Sequence, residues 1–413
     1  MRALATSRRR QNGPMPGSTF IAFVRQHLLP CRAALVLLLI SWLSACGGGG
    51  DAPVVVVEPD GPGRTLGVER LQQISAADMR SALAAAGAKA PPLQVRYDVV
   101  SYRIEYLTLD GNGNQVRASG LLAVPVKPAG RRSPMLSYQH GTIFLDAEAP
   151  SNAIAPGEPP LLLAAAGYLV VAADYVGYGV SKGVPHPYLL SAPTASSVLD
   201  LLTAARNWRL RNGVAGNGQL FLVGYSEGGY ATLAAHRAIE AGAGALRDEL
   251  VSVVPGAGPY DLAATLDALL ELVRKQNPVL AALVDPGFLR RLGGTIRDEV
   301  RRALVRALLP GDADVAFDTR FIDPYLADDR DLIERQSNVY DWKPITRLRL
   351  FHGRDDRTVP YISATRTLQA MQLRGATDVS LTDCTAVPAG HLECVPEYFG
   401  FVLGVLGQQA RDL

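Results

Sequence analysis

Gly224-Tyr225-Ser226-Glu227-Gly228 is a G-x-S-x-G run set between a strand-like segment, Leu220-Phe221-Leu222-Val223, and a helix-like one that starts at Tyr230. That context gives the serine chemical meaning. A sharp strand-to-helix turn holds a hydroxyl exposed above a sheet edge, and flanking glycines admit the crowding that the turn creates. The first N–H groups of the following helix lend positive potential to the same space, which suits a developing oxyanion. A serine hydroxyl is a weak nucleophile at neutral pH, so it needs a base within hydrogen-bond reach.

Both partners of such a serine stand downstream. His352-Gly353-Arg354-Asp355-Asp356-Arg357-Thr358-Val359-Pro360 follows a strand-like run over 345–351. A carboxylate on a loop after a strand can fix the tautomer of a catalytic imidazole and stabilise the imidazolium. Asp356 is the preferred acid and Asp355 its competitor one residue away; successive side chains point differently, so only one faces the base. The base is His391, on the short loop Ala389-Gly390-His391. It is the only one of six histidines that lies beyond Asp356. The order Ser226, Asp356, His391 differs from the orders in the two common serine protease folds.

A second loop should complete the oxyanion site. The strand-like 134–139 ends in His140-Gly141-Thr142. The backbone N–H groups of Thr142 (or Gly141) and Glu227 are the candidate donors. His140 is expected to shape this loop, not to move protons. Asp174, heading Asp174-Tyr175-Val176-Gly177-Tyr178-Gly179-Val180-Ser181, is expected to organise its loop through hydrogen bonds.

On these residues the chain resembles the α/β-hydrolase superfamily, and within it the secreted lipase and esterase branch that includes fungal secretory lipases and bacterial relatives. The matching pieces are Tyr138–Thr142, Asp174–Ser181, Gly224–Gly229, His352–Pro360 and Gly390-His391. The resemblance implies hydrolysis of carboxylic esters, no cofactor, and a helical cap between the sixth strand and the catalytic acid. The His-Gly-x-x-Asp-x-x-Val-Pro spacing, shared with many such enzymes, favours Asp356 over Asp355. The oxyanion loop departs from the His-Gly-Gly-Gly version, so activity on esters of tertiary alcohols is not expected. Glu227 stands where relatives often carry Gln.

The elements that must position these groups are legible as a pattern. From 98 to 254, apolar strand-like runs alternate with helical ones; Val198, Leu201, Leu202, Ala205 and Trp208 make one helical stripe. Alternation of this kind predicts the α/β class: a mostly parallel sheet with helices on both faces. Runs over 99–109 and 116–126, joined by Asp110-Gly111-Asn112-Gly113, read as a hairpin. The pattern breaks over 261–340, where helices are expected at 262–273, 278–283 and 298–309, with Leu266, Leu269, Leu270 and Val273 forming an apolar stripe. The arginines at 290, 291, 297, 301, 302 and 306 read mainly as a solvated helix face. The predicted organisation is a signal peptide over 1–45, a flexible tether over 46–65, the hydrolase core over 66–260 and 341–413, and a cap over 261–340.

The N-terminus reads separately. Residues 1–45 hold six arginines and no acid, followed by an apolar run over 33–43 that is too short to span a membrane and fits a signal-peptide core. Leu43-Ser44-Ala45-Cys46 resembles a bacterial lipobox, in which Cys46 would carry lipid; translation from Met15 would give an n-region of ordinary length. Without 1–45 the chain has 35 basic against 39 acidic side chains, a net of −4, which gives no reason to expect nucleic acid as a partner. The expected location is therefore outside the cytoplasm, on a membrane anchor or secreted. Cys384 and Cys394, ten residues apart and bracketing His391, read there as a disulfide; no second cysteine pair or histidine cluster accompanies them to suggest metal. Two other functions fit the same residues: a serine peptidase or amidase, and a binding lipoprotein on an inactive hydrolase fold.

Overall fold

The computed structural model describes residues 56–87, 90–242 and 244–413. The segment over 1–45 expected to be a signal peptide, and Cys46, lie outside the described residues. Nine strands form one sheet: β1 (Thr65–Ile74), β2 (Val99–Leu109), β3 (Gln115–Pro125), β4 (Ser133–Gln139), β5 (Leu169–Ala173), β6 (Gly216–Tyr225), β7 (Leu250–Gly256), β8 (Arg347–His352) and β9 (Val379–Asp383), in the spatial order β1-β2-β3-β5-β4-β6-β7-β8-β9. The pairs from β5 to β9 are parallel and those from β1 to β5 antiparallel. The fold is the expected α/β arrangement, and the predicted hairpin is β2 with β3, in register from Val99↔Pro125 to Leu109↔Gln115.

Alternation builds the two faces. In β6, Leu220 and Leu222 join one buried cluster, while Phe221 and Val223 join the other. Helices Ser191–Arg211 and Glu227–Ala241 cover the first face; Pro159–Ala165 and Val395–Gly407 cover the second. A strand buried on both sides reads as continuous apolar sequence, which is why the central strands were easy to find.

Three boundaries differ from the expectation. The sheet begins one strand earlier, at β1, an edge strand whose residues are mostly exposed and so carry no clean alternation. The end of the expected flexible tether is docked: Glu58 accepts from the Thr65 N–H at 3.1 Å and from Asn207 at 3.3 Å. Finally, β8 starts at Arg347, not 345. The Ile345 and Thr346 N–H groups are taken instead by the Glu240 carboxylate, at 2.8 and 2.6 Å.

Between β7 and β8 lie the helices Leu262–Gln276, Pro278–Leu283, Pro286–Leu289, Gly294–Leu308, Asp323–Leu326 and Arg330–Gln336. The third expected helix starts at 294, earlier than 298. In Leu262–Gln276 only Leu262 and Thr265 are buried; the stripe of Leu266, Leu269, Leu270 and Val273 is half-buried. Among the described residues no helix is long and apolar enough to cross a membrane.

Candidate active site

Ser226 sits between β6 and the helix Glu227–Ala241 with φ 61°, a left-handed backbone that L-residues avoid. The turn is enforced from below. The Ser226 N–H donates to Gly256 O of β7 at 2.9 Å. A Cβ on Gly228 would collide with Gln139 O, and one on Gly224 with Gly228 O, so only glycine fits at either position. Tyr398, fully buried, adds a pin: its hydroxyl accepts from Gly224 N–H at 2.8 Å and lies 2.7 Å from Val254 O. Local strain at the serine persists because this packing over-determines it.

The three sequence-predicted groups meet. His391 Nε2 is 2.9 Å from Ser226 Oγ, and His391 Nδ1 is 2.6 Å from Asp356 Oδ2. A carboxylate only accepts, so Nδ1 carries the proton and Nε2 is left free to take one from the serine. Asp356 Oδ1 accepts from the N–H groups of Thr358 and Val359 at 2.9 and 2.8 Å. His352 Nε2, which donates to Val359 O, lies 3.3 Å from Asp356 Oδ2. Burial pushes the Asp356 carboxyl up, but the hydrogen bonds from His352, His391 and Val359 and the charge of His391 outweigh it and hold the group at about 2. It stays ionised beside the histidine.

Asp355 is exposed and faces elsewhere. Its Oδ2 accepts from Ala389 N–H at 2.9 Å, two residues before His391, and its own N–H donates to Ala389 O. The Cys384–Cys394 disulfide, Cα atoms 5.9 Å apart, closes the same loop, and Tyr225 donates its hydroxyl hydrogen to His391 O at 2.8 Å. Elsewhere the loop is open to water: Val387 is almost fully exposed and Leu392 largely so.

The loop after β4 lies beside the serine. A Cβ on Gly141 would be 3.7 Å from Ser226 Cβ. Among the described residues, the N–H groups of Gly141, Thr142 and Glu227 donate to nothing in the protein. Glu227 is the first residue of its helix, where a free N–H is expected. His140 is buried, stacked on Tyr175 at 4.2 Å, and burial pushes its basicity down, so it shapes the loop. Asp174, fully buried, accepts from Ser151 N–H, Ser151 Oγ and Ser119 Oγ; it ties the loop after β5 to β3, as expected.

Sequence reasoning missed the partner of Glu227. Its carboxylate is buried against His186, with Nε2 to Oε1 2.6 Å. The two residues are 41 positions apart and share no motif, so no sequence spacing could have joined them. Also missed is an apolar groove of about 750 Å³ whose lining includes Leu392 and Glu393, the two residues after His391. Ala82, Leu83, Leu163 and Phe399 line its interior.

A strained serine turn after β6, a carboxylate after β8 and a histidine after β9, on a mostly parallel sheet, form the arrangement of an α/β-hydrolase. The comparisons agree. A family model described as secretory lipase matches residues 160–304, a description in keeping with an exported protein. No curated protein matches the chain. The ligand-bound structure of the rice cell wall degrading esterase LipA from Xanthomonas oryzae is 27% identical, with a TM-score of 0.64 over 85% of this chain and 100% of that one. A protein from Legionella pneumophila, 24% identical, gives 0.66 over 83% and 97% and shares the fold alone. Candida antarctica lipase A, 17% identical, gives 0.52 over 80% and 78% and shares the fold alone. The chain is a carboxylic ester hydrolase of the lipase and esterase kind.

Proposed function

We propose that Ser226, His391 and Asp356 are the catalytic triad and that esters are cleaved through an acyl-enzyme on Ser226. The unbroken hydrogen-bonded chain from Ser226 Oγ through His391 to Asp356 supports this reading. Ser226 Oγ attacks the ester carbonyl while His391 Nε2 takes its proton, and Asp356 balances the imidazolium that results. The carbonyl oxygen becomes an oxyanion, held by the free N–H groups of Glu227 and of Thr142 or Gly141. His391 then protonates the departing alkoxide. Water repeats the sequence on the acyl-enzyme and releases the acid. Every step is met by side chains and backbone, without a cofactor.

The insertion over 261–340 is proposed to act as a cap. Its segment around 314–317 packs on the loops that frame the site: Asp314 accepts from Asp146 N–H at 2.7 Å, and Phe317 packs on His186 and Tyr188 at 5.5 and 5.6 Å. Lipidation at Cys46 is proposed to hold the enzyme at a membrane outside the cytoplasm. The lipobox-like Leu43-Ser44-Ala45-Cys46 after an apolar run supports that.

A fluorophosphonate probe tests the core of this reading. It should label wild-type protein at Ser226 and leave Ser226→Ala unlabelled. Hydrolysis of p-nitrophenyl butyrate by Ser226→Ala at the wild-type rate would sink it. Aminoacyl anilides, run alongside, separate esterase from amidase activity.

A further inference from the structure

The residue after the nucleophile is an acid, and its side chain is 3% exposed. A bare carboxylate there would sit beside the oxyanion that its own backbone N–H is meant to hold. In a water-poor site such a charge would oppose the negative charge of the transition state. The structure meets this problem with His186, 2% exposed, whose Nε2 is 2.6 Å from Glu227 Oε1.

A proton count fixes the pair's charge. His186 Nδ1 is 2.8 Å from Val176 O, and a carbonyl only accepts, so Nδ1 carries a hydrogen. The contact between Nε2 and Oε1 then needs one hydrogen between two acceptors. Whether it resides on nitrogen or oxygen, the pair is neutral overall. The groups that face it are uncharged in the working range: the rings of Tyr175, Tyr178 and Tyr188, each with a hydroxyl made less acidic by burial, and His140, less basic through burial.

His186 is itself held from the insertion. Its N–H donates to Ala316 O at 2.7 Å, its carbonyl accepts from Asp318 N–H at 2.7 Å, and Phe317 packs edge-on against its ring. One residue therefore joins the insertion to the nucleophile turn.

We propose that His186 is a positioning residue for ester hydrolysis: it neutralises Glu227 and fixes the helix start whose N–H faces the oxyanion. This rests on Ser226 being the nucleophile. The pair is not in contact with the reacting atoms, so its effect should fall on kcat and leave KM nearly unchanged.

Steady-state kinetics on p-nitrophenyl butyrate test it, with the folding of each variant checked by circular dichroism. Glu227→Gln keeps the shape, removes the charge and can donate to His186 Nε2, so its loss in kcat should be at least about 10-fold smaller than that of His186→Leu. His186→Leu leaves the carboxylate unpaired, and kcat should fall roughly 100-fold, in the range of losing one oxyanion donor. The double variant His186→Leu/Glu227→Gln should recover at least about 10-fold of that loss, because the charge has gone. If His186→Leu does not fold, His186→Asn, whose amide can hydrogen-bond Glu227 but brings no proton to neutralise it, takes its place: kcat should fall at least about 10-fold, His186→Asn/Glu227→Gln should recover most of that loss, and wild-type kcat in His186→Asn would overturn the proposal. Wild-type kcat in His186→Leu, a double variant no better than the single, or a loss in Glu227→Gln as large as in His186→Leu would each overturn the proposal. Full activity in Ser226→Ala would instead overturn the triad, and the role of His186 with it.

Discussion

The sheet edge that carries Ser226, Asp356 and His391 and the insertion over 261–340 are built on different physics. At the edge, the polar groups that matter are buried and satisfied by short bonds from fixed partners: Asp356 by two backbone N–H groups and His391, Asp174 by two serines, Glu227 by His186. On the helices of the insertion, arginines pair with acids at the surface. Arg301 with Asp323, Arg302 with Glu299, Arg274 with Glu271 and Arg290 with Asp328 are all solvent-exposed or half-exposed ion pairs. Pairs of that kind contribute about 0–1 kcal/mol each and weaken with salt. Val279, Leu283 and Phe288 point into water on the same insertion. A rigid edge suits chemistry that tolerates little displacement, whereas a loosely held insertion with spare apolar surface suits selection among substrates.

The largest effect should come from breaking the edge. Ser226→Ala is expected to abolish turnover with the fold intact, and His391→Ala or Asp356→Ala to cost on the order of 10³ or more in kcat. Asp355→Ala, which loses only a loop contact to Ala389, should cost about 10-fold at most. A greater loss in Asp355→Ala than in Asp356→Ala would reverse the assignment of the acid.

Next in size is the disulfide. The bridge closes an eleven-residue segment around His391, which by chain entropy is worth about 2.5–3 kcal/mol. Reduction, or a double Cys384→Ser/Cys394→Ser change, should lower kcat more than it raises KM. Intact mass with and without reductant checks the bond itself; two free thiols in exported protein would refute it.

Acid should erode the edge in a defined window. The Asp356 carboxyl is held at about 2, below its ordinary 3.8. A depressed acid contributes stability that is complete above the unfolded value and lost as pH falls through the folded one. About 2 kcal/mol should therefore disappear between about pH 4 and pH 2. Urea denaturation at pH 6 and pH 2.5 should show that loss in wild type and a smaller one in Asp356→Asn.

The smallest effect sharpens the comparison from the other side. Val279→Ser/Leu283→Ser/Phe288→Ser on the insertion should lower the C12 to C4 ester ratio about 3-fold or more while phosphonate labelling of Ser226 stays unchanged. Ala82→Trp/Ala86→Trp, which fills the groove beside Leu392, is the control. A shift from the groove variant alone would move substrate selection from the insertion to the sheet edge.

What the sequence determined by itself was the chemistry and its frame. Alternating runs revealed the central strands because a strand buried on both faces must be apolar throughout, and G-x-S-x-G revealed Ser226 because the turn admits only glycine at 224 and 228. Chain order was enough to nominate His391, the only histidine beyond Asp356, and the His-Gly-x-x-Asp-x-x-Val-Pro spacing to prefer Asp356. The edge strand β1 was hidden because an exposed strand need not alternate. Only the tertiary structure shows which of Asp355 and Asp356 faces His391, because neighbouring side chains differ in direction and not in type. It alone gave Glu227 its partner, for a buried charge is matched by whatever lies near it in space, and His186 reaches it through a loop that the insertion holds in place.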